Sequence, residues 1–140
     1  MPVCVDASFA LKLVIPEKGS EFVSGKWEEW INDGIAIIAP RLFAFEIQSV
    51  LRRKVFKKEI RESEGLLAWE TIWNAGVGIR HHDDLWQMAW EIARKYNLPT
   101  TYDATYLALS ELAECELWTG DRRFFNSTVG RERLLRVIPD

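Results

Sequence analysis

Cysteine is nearly absent: Cys4 and Cys115 are the only two, far apart in a chain of 140 residues. Two thiols without close spacing argue against a disulfide framework or a zinc site, and each falls in or beside a strand-like apolar run, as buried reduced residues do. No apolar run approaches the roughly 18 residues that span a bilayer, and "MPVCVDASF" lacks the charged and apolar regions of a signal peptide. No membrane association is expected, and the cytoplasm is the expected compartment. An excess of positive charge is missing as well. The net charge of -3 argues against a generally basic nucleic-acid coat, so any polyanion must be held locally. There is no repeat, linker or low-complexity segment, which leaves one domain over residues 1–140 as the expectation.

What the chain does have is apolar content, 48% of it, enough to bury a sizeable core at this length. The apolar residues alternate between short runs and amphipathic stretches. "PVCV", "IAIIA", "GVGI", "CELWTG" and "LLRVI" read as strands. Between them, "SFALKLVI", "SEFVSGKWEEWIND" ending at Gly34, "LFAFEIQSVLRRKVFKK", "SEGLLAWETIWNA", "DDLWQMAWEIARKYN" and "DATYLALSELAE" keep helical spacing. "RRFFN" is a short segment before the last strand. Strands alternating with crossover helices imply an α/β fold with a mainly parallel sheet covered on both faces.

Acids fall at informative places on that scaffold. Asp6 directly follows the first strand and Asp121 follows "ELWTG", so both lie where strands hand over to loops, the edge at which open α/β sheets bind ligands. Asp103 opens a helix, where the ordinary reading is an acid favoured by the helix dipole. Glu46 interrupts the apolar run "RLFAFEIQSV", and a partly buried carboxylate there is costly without a partner. Four carboxylates converging on one point would raise one another's pKa, and such a cluster persists mainly when a cation occupies it. An all-oxygen set suits Mg²⁺ or Mn²⁺ rather than zinc. Without these four acids the chain is close to neutral, so its acidity is concentrated in one prospective site.

The blocks "VCVDASFALKLVIPE", "APRLFAFEIQSVLRR", "YNLPTTYDATYLALSEL" and "LWTGDRRF" resemble the four signature blocks of PIN domains, in particular the toxin nucleases of VapC type. The resemblance covers nearly the whole chain and implies a three-layer α/β/α sandwich around a five-stranded, mainly parallel sheet. It implies Asp6 and Asp103 as the main metal ligands, Asp121 completing the site directly or through water, and Glu46 orienting the attacking water. Ser8 and Thr119 are implied as supporting hydroxyls. Many relatives carry Asn three residues after the helix Glu; Ser49 stands there in this chain. The implied reaction is Mg²⁺- or Mn²⁺-dependent hydrolysis of an RNA phosphodiester, leaving a 5′-phosphate and a 3′-hydroxyl. The implied partners are an RNA substrate, a small antitoxin whose basic side chain reaches the acids, and a second copy in a homodimer.

Other features are weighed against plainer readings. Arg52, Arg53, Lys54, Lys57 and Lys58 in "LRRKVFKK", with Arg122 and Arg123, form either a solvated face or backbone-phosphate contacts; Arg52, Arg53 and Arg122 are the RNA-binding candidates. "RHHDD" offers His81, His82, Asp83 and Asp84 as a metal cluster, but helix capping by Asp83 or Asp84 is the simpler expectation. Trp69, Trp73, Trp86 and Trp90 fall four apart within their helices and are expected to pack the core, a dimer face or antitoxin groove being the rival reading. Two alternatives to the toxin remain open: a PIN nuclease of RNA processing or DNA repair, which would normally need extra modules, and a non-catalytic receiver-like domain. A receiver needs a late lysine, and this chain has none after Lys95.

Overall fold

The computed structural model describes residues 1–128 and 132–140. Five short strands, β1 (Val3–Val5), β2 (Ile37–Ala39), β3 (Val77–Ile79), β4 (Leu117–Thr119) and β5 (Leu135–Val137), form one sheet in the order β3-β2-β1-β4-β5. Every neighbouring pair is parallel, as the sequence alternation predicts. The central strand β1 pairs Val3 with Ile37 on one side and Cys4 with Leu117 on the other. All three residues of β1 and of β2 are buried. Successive strand side chains point to opposite faces, so both faces of the sheet are covered. Cys4 and Cys115 are both buried free thiols.

The connections are helices α1 (Ala7–Leu11), α2 (Ser20–Asn32), α3 (Leu42–Phe56), α4 (Glu62–Trp73), α5 (Leu85–Lys95), α6 (Tyr102–Leu112) and α7 (Arg122–Thr128). The first is shorter than its periodicity predicts. After Leu11 the amides of Lys12, Leu13 and Val14 bond three residues back rather than four, and Pro16 ends the segment because its ring cannot continue a helix. Helix α2 stops as expected at Gly34, whose φ of 68° lets the chain reverse; Ile35 then returns its amide to Trp30.

The core is built on Phe9, which is wholly buried and lies 5.6 Å from Trp30, 6.0 Å from Trp118 and 6.4 Å from Trp27 between ring centroids. The indole of Trp27 donates to the carbonyl of Ala75 at 3.1 Å, which anchors α2 to the segment before β3. The expected core tryptophans are placed differently. Trp73, Trp86 and Trp90 are exposed, and Trp69 is half-buried against Trp73. Each pair does form a helical stripe, but Ala68 and Ile72 on α4, and Leu85, Ala89 and Ile92 on α5, take the buried side. The stripe of indoles lies one residue, about 100° of helix rotation, away from it.

Candidate active site

At the carboxyl ends of β1 and β4 the chain turns directly into α1 and α7, and each turn is closed by an aspartate. Asp6 is the N-cap of α1: its Oδ1 accepts the amide of Phe9 at 2.9 Å and the hydroxyl of Ser8 at 2.7 Å. Asp121 does the same for α7, its Oδ1 accepting the amides of Arg123 at 2.9 Å and Phe124 at 3.3 Å. The two caps are laced together. The Ser8 hydroxyl lies 3.3 Å from that of Thr119 and accepts the amide of Gly120 at 2.9 Å, while the Thr119 hydroxyl accepts the amide of Asp121 at 3.0 Å. Ser8 and Thr119 therefore support both aspartates at once. The lacing needs a glycine: a Cβ on Gly120 would stand 2.9 Å from the carbonyl oxygen of Ser8.

Asp103 and Glu46 approach from the first turns of α6 and α3. Asp103 is half-buried one residue inside α6, and Glu46 is half-buried between the exposed Phe45 and the buried Ile47. The partner that a buried Glu46 requires is Tyr106, whose hydroxyl donates to Oε1 at 2.5 Å. Tyr106 is almost wholly buried, and burial with the adjacent Glu46 pushes its phenol well above the ordinary range, so it remains a donor. Ser49 does not take that part. It is exposed three residues further along α3, and among the described residues it makes no hydrogen bond to Glu46.

The electrostatics connect the acids. Burial pushes Asp6 up to about 6, against hydrogen bonds from Thr119, Ser8 and the Phe9 amide that pull it down, and the Glu46 charge pushes the same way as burial. Asp103 is likewise raised to about 6, by burial first and then by the charges of Asp6 and Asp121; the Arg123 guanidinium opposes them. Glu46 is raised by burial and by Asp103, against the Tyr106 bond. A helix-dipole role alone would lower Asp103. Asp103 is raised instead, by burial and by the neighbouring carboxylates.

Among the described residues no group of three His, Cys, Asp or Glu side chains is placed so as to hold a metal ion together. Mg²⁺ does not require one: it is commonly held by one or two carboxylates with several waters retained. Two raised aspartates, Asp103 acted on by the charges of Asp6 and Asp121 and Asp6 by that of Glu46, are an all-oxygen donor set that fits such an ion.

Other expected residues take different places. Arg52 and Arg53 are exposed on α3. The guanidinium of Arg122 is committed to the C-terminal segment, donating to the carbonyl of Ile138 at 2.9 Å and pairing with Asp140 at 3.2 Å. The arginine whose charge acts on the acids is its neighbour Arg123. In "RHHDD", Asp84 holds the N-cap position of α5 but its carboxylate makes no cap bond, and its amide donates to the ring of His82 at 3.1 Å. The sequence reading left Tyr106 unassigned and placed Arg123 only within a basic cluster; Tyr106 lies one helical turn after Asp103, a spacing that puts both on one face of α6.

A family model described as PIN domain matches residues 3–128. Ribonuclease VapC3 of Pyrobaculum aerophilum is 29% identical over 125 residues, 88% of this chain and 92% of that protein. The VapC ribonuclease Mb0985 of Mycobacterium bovis is 36% identical over 118 residues, 78% of this chain and 89% of that protein. Among solved structures, VapBC2 from Rickettsia felis, bound to a DNA fragment from their promoter, matches 99% of this chain and 100% of that chain with a TM-score of 0.71 at 11% identity, a likeness of fold.

Proposed function

This chain belongs to the PIN-domain family, among proteins of VapC type, and from that premise we propose that it is a metal-dependent endoribonuclease acting as the toxin of a toxin–antitoxin pair. The observation that supports the reading is that Asp6 and Asp103 are both raised by burial, Asp103 also by the charges of Asp6 and Asp121 and Asp6 by that of Glu46. A protein retains such mutual repulsion where a bound cation relieves it.

In the proposed mechanism Asp6 and Asp103 would hold Mg²⁺ or Mn²⁺, with Asp121 beside them. Such an ion would supply charge neutralisation at the scissile phosphate and a lowered pKa for the attacking water. Glu46, fixed by Tyr106, orients that water and accepts its proton. Ser8 and Thr119 keep Asp6 and Asp121 aimed, so that little reorganisation is needed when RNA arrives. The bond broken is P–O3′, which leaves a 5′-phosphate and a 3′-hydroxyl.

The partners proposed with this activity are a small antitoxin and a second copy of the chain. The antitoxin reading is supported by an apolar groove between α3 and α4, of about 310 Å³, lined by Leu51, Val55, Leu66 and Trp69. No helix among the described residues is long and apolar enough to cross a membrane. The test is incubation of purified protein with a pool of transfer and ribosomal RNA, with Mg²⁺, with Mn²⁺ and with EDTA, beside Asp6→Asn. Discrete cuts that require both metal and Asp6 are expected, with a loss of at least about a thousandfold in the variant. Undiminished cutting by folded Asp6→Asn would remove Asp6 from the mechanism.

A further inference from the structure

Beside the acids lies a cavity of about 400 Å³, within the range of small-ligand sites, that the chemistry above leaves unused. Its apolar floor is Leu11, Ile15 and Val50, and its rim carries Lys12, Lys54 and Arg123 together with the carboxylate of Glu17 and with Arg122, whose guanidinium is committed to the C-terminal segment. The wall nearest the acids is shared with them through Ser8 and Asp121. An anion seated on the rim is therefore next to the acidic centre.

The rim is built rather than incidental. Lys12 is mostly buried, its side chain 15% exposed, and its ammonium donates to Glu17 Oε1 at 3.1 Å and to the carbonyl of Lys18 at 2.8 Å. Two of its three hydrogens are thereby spoken for, and one is left to give. Its stem lies along Gly120, where a Cβ would come within 3.1 Å of Lys12 Cε, so the glycine that permits the lacing of Ser8 also makes room for this lysine. Lys54 has only a distant partner, Glu59 at 3.9 Å. Arg123 has no ion-pair partner among the described residues, and its charge acts on Asp103.

We propose that this cavity is a nucleotide subsite. It holds the nucleotide adjoining the bond that is cut, with sugar and base over Leu11, Ile15 and Val50 and a phosphate on Lys12, Lys54 and Arg123. The inference rests on the nuclease reading, since it requires an RNA strand that reaches the acids. An acidic centre repels a polyanion; three cations gathered immediately beside it offset that repulsion and fix which phosphate enters the centre.

Two measurements test it, with Lys12→Gln and Lys54→Gln. The first is titration of the full chain in EDTA with 5′-AMP, against adenosine, followed by NMR. The nucleotide is expected to shift resonances at the cavity and adenosine to leave them in place, with binding weakened in both variants. The second is steady-state cleavage of an RNA that the wild type cuts. Each variant is expected to raise KM about fivefold while kcat moves less than twofold, and to lower the salt slope by about 0.7, the contribution of one phosphate contact on a single strand. If Lys12→Gln fails to fold, the partly exposed Lys54 carries the test. Unchanged KM and salt slope beside an active wild type overturn the subsite and leave the nuclease reading in place, and so does a fall in kcat at constant KM. If the wild type cuts no RNA, the nuclease reading fails separately; 5′-AMP that shifts nothing at the cavity then overturns the subsite as well.

Discussion

Two regions of the molecule meet at α1 and its N-cap and follow opposite rules. On one side Phe9 is buried against Trp27, Trp30 and Trp118, an aromatic cluster with each indole and ring in close apolar contact. On the other, Asp6 and Ser8 face the acidic edge, where Asp6 and Asp103 are held in surroundings that disfavour their charge. The first region supplies stability and the second spends part of it. Sites that concentrate like charges in partly dry surroundings are the expected exceptions to local consistency in a folded chain.

The comparison can be broken most sharply at Phe9. Phe9→Ala is expected to cost about 3–5 kcal/mol, read as a lowered urea midpoint, because the cavity it leaves is walled by large rings that cannot collapse into it. On the acidic side the sign reverses. A carboxyl raised from 3.8 to about 6 favours the protonated, folded form, so its destabilising effect sets in as pH rises through that interval. For a fully shielded group the difference is about 3 kcal/mol, and solvent at the half-buried Asp103 reduces it to about 1–2. In EDTA, Asp103→Asn is therefore expected to raise Tm at pH 7, and in a separate assay with Mg²⁺ to abolish cleavage. The wild type is expected to gain stability between pH 7 and pH 5, and the variant to gain less; equal gains in both would remove Asp103 as a source of the repulsion.

Tyr106→Phe sharpens the contrast at smaller scale. It keeps the ring in the core and removes only the donor to Glu46, so stability should change by about 1 kcal/mol while cleavage falls more than tenfold. Loss of stability without loss of rate would make Tyr106 a core residue alone. The smallest effect is expected at the exposed indole of α5: Trp86→Ala should alter monomer stability by less than about 0.5 kcal/mol, measured by denaturant titration at low protein concentration.

How much of this was legible in the sequence depends on how local its cause is. The parallel sheet follows from apolar runs alternating with helical stripes, and all five runs became strands. Asp6 and Asp121 stand out because a strand end and a helix cap are both local features. Tyr106 did not, since its bond to Glu46 joins residues 60 apart and only packing brings them together. Arg122 and Arg123 are equal on paper. The C-terminal carbonyl of Ile138 and the Asp140 carboxylate claim the first and leave the second beside the acids. The tryptophans fail for a related reason: a spacing of four defines a stripe, and the smaller Ala68 and Ala89 decide which side of the helix the core accepts.

The bond from the Gly120 amide to the Ser8 hydroxyl closes a loop of 112 residues, and β1 finds β4 only across the same distance. During synthesis, then, β1 and α1 emerge first and wait for almost the entire chain before their second aspartate arrives. Long-range parallel pairing of this kind forms late, because loop closure must precede the contacts that reward it. The acidic edge that joins Asp6 to Asp121 therefore comes into being only when β4 has emerged and docked beside β1.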